Sequence, residues 1–262
     1  VIQWIKRYLK SGVMENGVVV DTEEGSPQGG NLSPLLANVY LNEFDQEFQK
    51  RGVPFVRYAD DIVLLAKSER AAKRLLETST NYLEGKLKLT VNKDKSRVVS
   101  VLAIRNFKFL GFALGRNGKG IYVRVHPKSW KKFKSKLREL SSRRSAQSIR
   151  PALEKIKVYA RGWLNYYGIA SMNNPIDDIN KWLYHRIRMC IWKQWKKPKT
   201  KMRNLLKLGV SKDLAFKTAN SRRGYWFVTH TVAVNIALTK ERLIHNGFYD
   251  LAIAYQSVHI NY

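Results

Sequence analysis

Phe55-Val56-Arg57-Tyr58-Ala59-Asp60-Asp61-Ile62-Val63-Leu64-Leu65-Ala66 sets two apolar, β-branched or aromatic runs on either side of an acidic pair. Runs of this kind around a tight polar break predict a β-hairpin with Ala59-Asp60 at its tip. Side chains alternate along a strand, so one carboxylate must face the same way as Tyr58 or into the turn, where it is costly unless paired or bound to a cation. Hard oxygen donors suit Mg²⁺, which is usually held by one or two carboxylates plus substrate phosphates. Two such ions about 4 Å apart can activate a hydroxyl and stabilise a leaving pyrophosphate. A lone Asp-Asp is more often a solvated turn, so its neighbours have to decide.

Upstream, Gly25-Ser26-Pro27-Gln28-Gly29-Gly30 breaks regular structure and runs into Ser33-Pro34, a favoured helix start with Ser33 as N-cap and Pro34 first inside. Glycines there expose backbone N–H groups and Gln28 offers an amide, so the loop can approach a base pair or triphosphate closely. Leu35, Leu36, Val39, Tyr40, Phe44 and Phe48 then recur at helical spacing, about four turns with one apolar face. Downstream, residues 69–86 return to helical periodicity, and strands are expected at Lys88–Val91 and Arg97–Val101. The order β-α-β-β-α-β over 1–101 predicts a sheet backed by helices.

Phe107–Leu114 and Gly120–Val125 read as a further hairpin, turned by Asn117-Gly118. The Gly115/Gly118/Gly120 spacing lacks the strand-to-helix context of a phosphate loop and is a turn. Helical patterns follow over 128–140, 149–167 and 176–195, each with one apolar face, which makes a small basic bundle. Lys196-Lys197-Pro198-Lys199 links to a last segment of short helices. Cys190 reads as packing, and the five histidines are scattered without metal-ligand spacing.

Of 262 residues, 48 are Lys or Arg and 20 Asp or Glu, a formal charge of +28. Residues 1–100 hold 15 basic and 13 acidic side chains, residues 101–262 hold 33 and 7, and 22 of the 30 Tyr, Trp and Phe fall after residue 100. Basic side chains interleaved with aromatics neutralise phosphate and offer stacking surfaces, so the second region points to nucleic acid. A single cysteine excludes a disulfide framework and a cysteine-rich zinc module, and no apolar run approaches a membrane span. An intracellular, cytoplasmic setting without a membrane partner is expected. The chain opens at Val1 inside a helical pattern (Ile2, Ile5, Leu9), which suggests a piece of a longer protein.

In order and spacing, Ser26-Pro27-Gln28-Gly29-Gly30 with Ser33-Pro34-Leu35-Leu36-Ala37-Asn38, then Tyr58-Ala59-Asp60-Asp61, Asn92-Lys93-Asp94-Lys95-Ser96 and Phe109-Leu110-Gly111-Phe112, resemble the palm of a retroelement reverse transcriptase. Arg161-Gly162-Trp163-Leu164-Asn165-Tyr166-Tyr167-Gly168 resembles the maturase-specific thumb of group II intron-encoded reverse transcriptases, and Ala219-Asn220-Ser221-Arg222-Arg223-Gly224-Tyr225-Trp226 the end of bacterial members without an endonuclease module.

The resemblance implies an α+β fold: a palm portion over 1–112, without fingers and without the strand carrying the first catalytic Asp, then a helical thumb over 113–197 entered through a hairpin, then a C-terminal DNA-binding domain over 198–262. It implies RNA-directed DNA synthesis with two Mg²⁺, held by Asp60 and its less strictly required neighbour Asp61, with one further ligand supplied from upstream of Val1. Tyr58, Ala59 and the Pro27-Gln28-Gly29-Gly30 loop would form the nucleotide and template pocket, Lys95 would assist the pyrophosphate end of a dNTP, and Leu110-Gly111 would support the primer. Lys128, Lys131, Lys132, Lys134, Arg143, Arg144, Arg161, Arg222 and Arg223 would bind nucleic acid. Implied partners are intron RNA, an RNA template with DNA primer and a DNA target, with room for a homodimer. The fragment alone would not polymerise. The alternatives are a splicing maturase without polymerase activity and another retroelement lineage, a retron or diversity-generating enzyme.

Overall fold

Each segment's apolar pattern builds its element, and the elements gather into two compact units, Val1–Leu102 and Ala103–Tyr262. The structure is a computed structural model and describes residues 1–15, 18–20, 30–100, 107–118, 120–142 and 148–259. Among these the chain is mostly helical with small antiparallel sheets, an α+β fold.

The first unit opens with α1 (Ile2–Leu9) and a hairpin of β1 (Val13–Glu15) and β2 (Val18–Val20). Helix α2 (Ser33–Lys50) starts one residue earlier than its sequence predicts, because the Ser33 N–H already closes a turn onto the Gly30 carbonyl at 3.1 Å; Leu32 is the N-cap. It buries Leu41, Phe44 and Phe48 and leaves Leu35 and Val39 exposed. Strands β3 (Phe55–Tyr58) and β4 (Asp61–Leu64) pair as expected, Phe55 opposite Leu64 and Tyr58 opposite Asp61. Phe44 stacks on Phe48 at 4.2 Å and meets Phe55 and Tyr82 edge-on. Offset and edge arrangements of this kind are what aromatic quadrupoles favour.

Helix α3 (Glu69–Asn81) is capped by Ser68 and runs into a π-turn at Tyr82–Lys86. The strands expected at Lys88–Val91 and Arg97–Val101 do not form over the described residues 88–100. Backbone groups that a ladder would use are spent otherwise: Leu89 N–H donates to the Leu83 carbonyl and Val91 N–H to the Glu84 carboxylate, while Leu87 plugs the core. The expected palm sheet is therefore, among the described residues, a set of separate two-stranded hairpins.

In the second unit β5 (Phe112–Asn117) pairs with β6 (Gly120–Val125) in a register that ends at Asn117 opposite Gly120, so Gly115, Arg116 and Asn117, expected in the connecting turn, are paired strand residues because the ladder continues to the last possible pair. Strand β5 begins at Phe112 rather than Phe107, because Leu110 (φ +50°) and Gly111 (φ +80°) turn the chain sharply between Phe109 and Phe112. Helix α4 (Pro127–Leu140) is capped by the His126 ring, whose Nδ1 accepts from Lys128 N–H. With α5 (Arg150–Tyr167) and α6 (Asn173–Gln194) it forms the expected basic bundle, and its core runs on into α7 (Pro198–Lys207), α8 (Lys212–Ala219), α9 (Tyr225–Val228), α10 (Val232–Ala237), α11 (Lys240–His245) and α12 (Leu251–Val258). Phe133, Leu137, Leu164, Leu183, Ile187, Leu205 and Leu251 are fully buried in that one cluster. Buried Asp250 caps α12 through the Ala252 and Ile253 N–H groups and also accepts from Asn180 and Tyr184 of α6. No described helix is long and apolar enough to cross a membrane.

Candidate functional site

The acidic turn is held from behind. Because β3 and β4 pair at Arg57 opposite Ile62, Arg57 lies on the core side of the hairpin with Phe55 and Leu64, while Val56, Tyr58 and Asp61 share the other face. On the core side a guanidinium needs partners. Arg57 Nε donates to Asp45 of α2 at 2.8 Å, its Nη1 to the Asn38 side chain at 2.9 Å and to the Ala59 carbonyl at 3.0 Å. The last bond fixes the turn itself. Ala59 takes φ +52°, a left-handed conformation that costs a non-glycine residue about 1 kcal/mol or more and persists only where surroundings impose it.

The result is a rigid two-residue tip from which Asp60 and Asp61 project into solvent beside Tyr58, itself 64% exposed. Two adjacent exposed carboxylates are the donor chemistry of a hard divalent cation. Among the described residues no third His, Cys, Asp or Glu joins them in a cluster. Asp45 of α2 is engaged by Arg57. Asp21, and Pro27, Gln28 and Gly29 of the glycine loop, lie outside the described residues; Gly30 is described.

Lys95 sits on a separate exposed turn, where its N–H donates to the Asn92 side chain at 3.1 Å, and no ion pair joins it to Asp60 or Asp61. Leu110 and Gly111 belong to the second unit. Their turn is clamped by helices: Tyr166 Oη donates to the Leu110 carbonyl at 3.0 Å and Ser129 Oγ to the Gly111 carbonyl at 2.9 Å.

A basic surface completes the set. Lys128, Lys131, Lys132 and Lys134 of α4 and Arg161 of α5 are all exposed. Arg143 and Arg144 lie outside the described residues. Arg222 and Arg223 are exposed at the entry to α9, where Trp226 is 42% and Phe227 48% exposed and the Arg223 guanidinium lies over the Phe227 ring.

Residues 1–114 match the family described as reverse transcriptase (RNA-dependent DNA polymerase), and residues 130–209 match the group II intron, maturase-specific domain. The chain belongs to the group II intron reverse transcriptase/maturase family. Among curated proteins it is similar to Protein YkfC of Escherichia coli K12, 34% identical over 142 aligned positions that take in 41% of this chain and 37% of that protein. It is also similar to the group II intron-encoded protein LtrA of Lactococcus lactis subsp. cremoris, 33% identical over 97 residues, 37% of this chain and 15% of that protein. The chain thus matches well under half the length of these relatives. The maturase-specific match favours this family over a retron or diversity-generating lineage.

Sequence reasoning about this group II intron family member missed three positioning side chains, Arg57, Asn38 and Asp45. A signal existed: register puts Arg57 on the apolar side of its strand, which demands an acid from the neighbouring helix. The histidines, scattered in the sequence without metal-ligand spacing, include one pair that the fold brings together: the rings of His185 and His230 stack at 3.8 Å with Trp226 edge-on to both.

Proposed function

We propose that this chain is the palm portion (1–112), thumb (113–197) and C-terminal DNA-binding region (198–262) of a group II intron reverse transcriptase that copies RNA into DNA and holds its intron RNA. The carrying observation is the acidic tip, with two exposed carboxylates on a turn locked by Arg57. Asp60 and Asp61 would hold Mg²⁺, which when bound supplies the positive charge that phosphoryl transfer needs. Tyr58 offers a ring on the same face as Asp61 for the incoming nucleotide, with the Pro27–Gly30 loop as the rest of the pocket. Lys95 neutralises the pyrophosphate end, and the Leu110-Gly111 backbone supports the primer. Since two adjacent carboxylates make an incomplete two-ion site, synthesis needs a further carboxylate beyond those described. Lys128, Lys131, Lys132, Lys134 and Arg161, with Arg143 and Arg144, hold RNA, and Arg222 and Arg223 hold the DNA target.

Asp60→Ala in a polymerase-competent protein that carries this segment tests the assignment. Primer extension on an RNA template should be abolished while RNA affinity is kept, because removing a negative charge cannot weaken attraction to phosphate. Equal loss of both activities would overturn the separation of roles.

A further inference from the structure

Trp182, on α6, is ringed by three cations. Lys134 Nζ lies 5.1 Å from its ring centroid, the Arg186 guanidinium 5.2 Å and the Arg138 guanidinium 5.9 Å. A cation over an indole face is stabilised by the ring quadrupole, and here three share one ring. Helical spacing builds it: Lys134 and Arg138 are one turn apart on α4, Trp182 and Arg186 one turn apart on α6, and the two pairs meet.

Like charges at that spacing repel. Among the described residues no carboxylate lies within 4 Å of Lys134 or Arg138, and Glu139, the acid on the same turn, pairs with Lys136 at 2.7 Å. The Arg186 guanidinium is fixed: it donates to Ser141 Oγ at 2.6 Å and to the Arg138 and Ser141 carbonyls at 2.9 and 3.0 Å, closing the C-terminus of α4. One immobilised guanidinium and two exposed cations are thus held together over an aromatic plate, and the two exposed ones have no carboxylate within 4 Å among the described residues.

We propose that Lys134, Arg138, Arg186 and Trp182 form a cradle for the phosphodiester backbone of RNA, with the indole face keeping the cations together and a phosphate supplying the counter-charge that Lys134 and Arg138 lack among the described residues. The proposal rests on the reading that the helical unit binds RNA. It adds Arg138, Arg186 and Trp182 to that surface and says where on it a phosphate sits.

The test measures affinity of the 262-residue chain for one RNA hairpin across a salt series. Lys134→Gln/Arg138→Gln replaces two exposed side chains, and its folding is checked by thermal melting. Each phosphate contact contributes about 0.7–0.9 to the slope of log K against log salt, so this variant should be shallower by about 1.5. The control Lys207→Gln/Lys212→Gln removes the same charge from exposed positions elsewhere and should change the slope by less than about 0.5. Steep wild-type salt dependence with equal slope losses in both variants would overturn the cradle while leaving RNA binding in place. A wild-type chain that shows no salt-dependent RNA binding would remove the reading beneath it, and the cradle with it.

Discussion

At position 111 two demands meet that glycine alone satisfies. The backbone stands at φ +80°, and a β-carbon there would lie 2.4 Å from Tyr167 Oη and 3.1 Å from Ser129 Oγ. Gly111→Ala should therefore cost about 1–3 kcal/mol from strain and overpacking together, read as a lowered midpoint in thermal unfolding of the chain. A midpoint unchanged within a degree would mean that the turn has slack. Leu110 at φ +50° and Ala59 at φ +52° bear similar backbone strain without the relief of glycine. Both lie in turns that the proposed function assigns to substrate. The motif letters mark these positions, but their conformation comes from neighbours: the Arg57 bond to the Ala59 carbonyl and the Tyr166 bond to the Leu110 carbonyl.

Among the elements, the β3–β4 hairpin depends on α2 for more than apolar packing. Side chains of Arg57 and Asp45 are only 11% and 25% exposed, and they satisfy one another. Arg57→Gln should leave the Asp45 carboxylate half-buried and unpaired, destabilising the first unit by about 2–3 kcal/mol in urea unfolding. Asp45→Asn added to Arg57→Gln should recover part of that loss, because the uncompensated charge is then gone. Strictly additive losses would show that the pair is not coupled. In a polymerase-competent protein both single variants should lower synthesis without changing metal-ligand chemistry, since Arg57 acts through the placement of the acidic tip.

For the molecule as a whole, acid stability should turn on two groups in the second unit. Burial raises the Asp250 carboxyl, but the Ile253 N–H, Lys240 and Tyr184 outweigh it and hold the group below the usual carboxylate range. Burial, then the neighbouring His230 and Arg188, pushes the His185 imidazole down. Both folded values lie below the unfolded ones, so in each case the unfolded chain binds protons first as the pH drops, and stability falls on acidification. The His185 contribution is complete above about pH 6.5 and is lost below it; that of Asp250 is complete above about pH 4 and is lost on further acidification. Asp250→Asn should lower the melting temperature at pH 7 by several degrees, since buried bonds and the Lys240 pair at 2.9 Å go, and should flatten the fall below pH 4. A melting curve whose pH dependence below 4 is the same in both proteins would refute that assignment.

Local rules acting over a few residues determined much of this protein. The hairpin with Ala59-Asp60 at its tip, the existence of the β5–β6 hairpin and helices α4, α5 and α6 follow from apolar period and turn chemistry, and the charge asymmetry needs only a count of side chains. The order of motifs identified the family without any fold. Long-range pairing decided the rest. Lys88–Val91 has the composition of a strand, yet a strand exists only where another lies beside it, and here Leu89 and Val91 close the preceding helix instead. Asp45 is one acid among several on α2 until Arg57, twelve residues away, is folded against it. Trp182 and its cations come from helices more than forty residues apart in the chain, and Asp250 joins three helices at one buried carboxylate. Such sites are set by which faces the core brings together, a property of packing that no window of sequence contains.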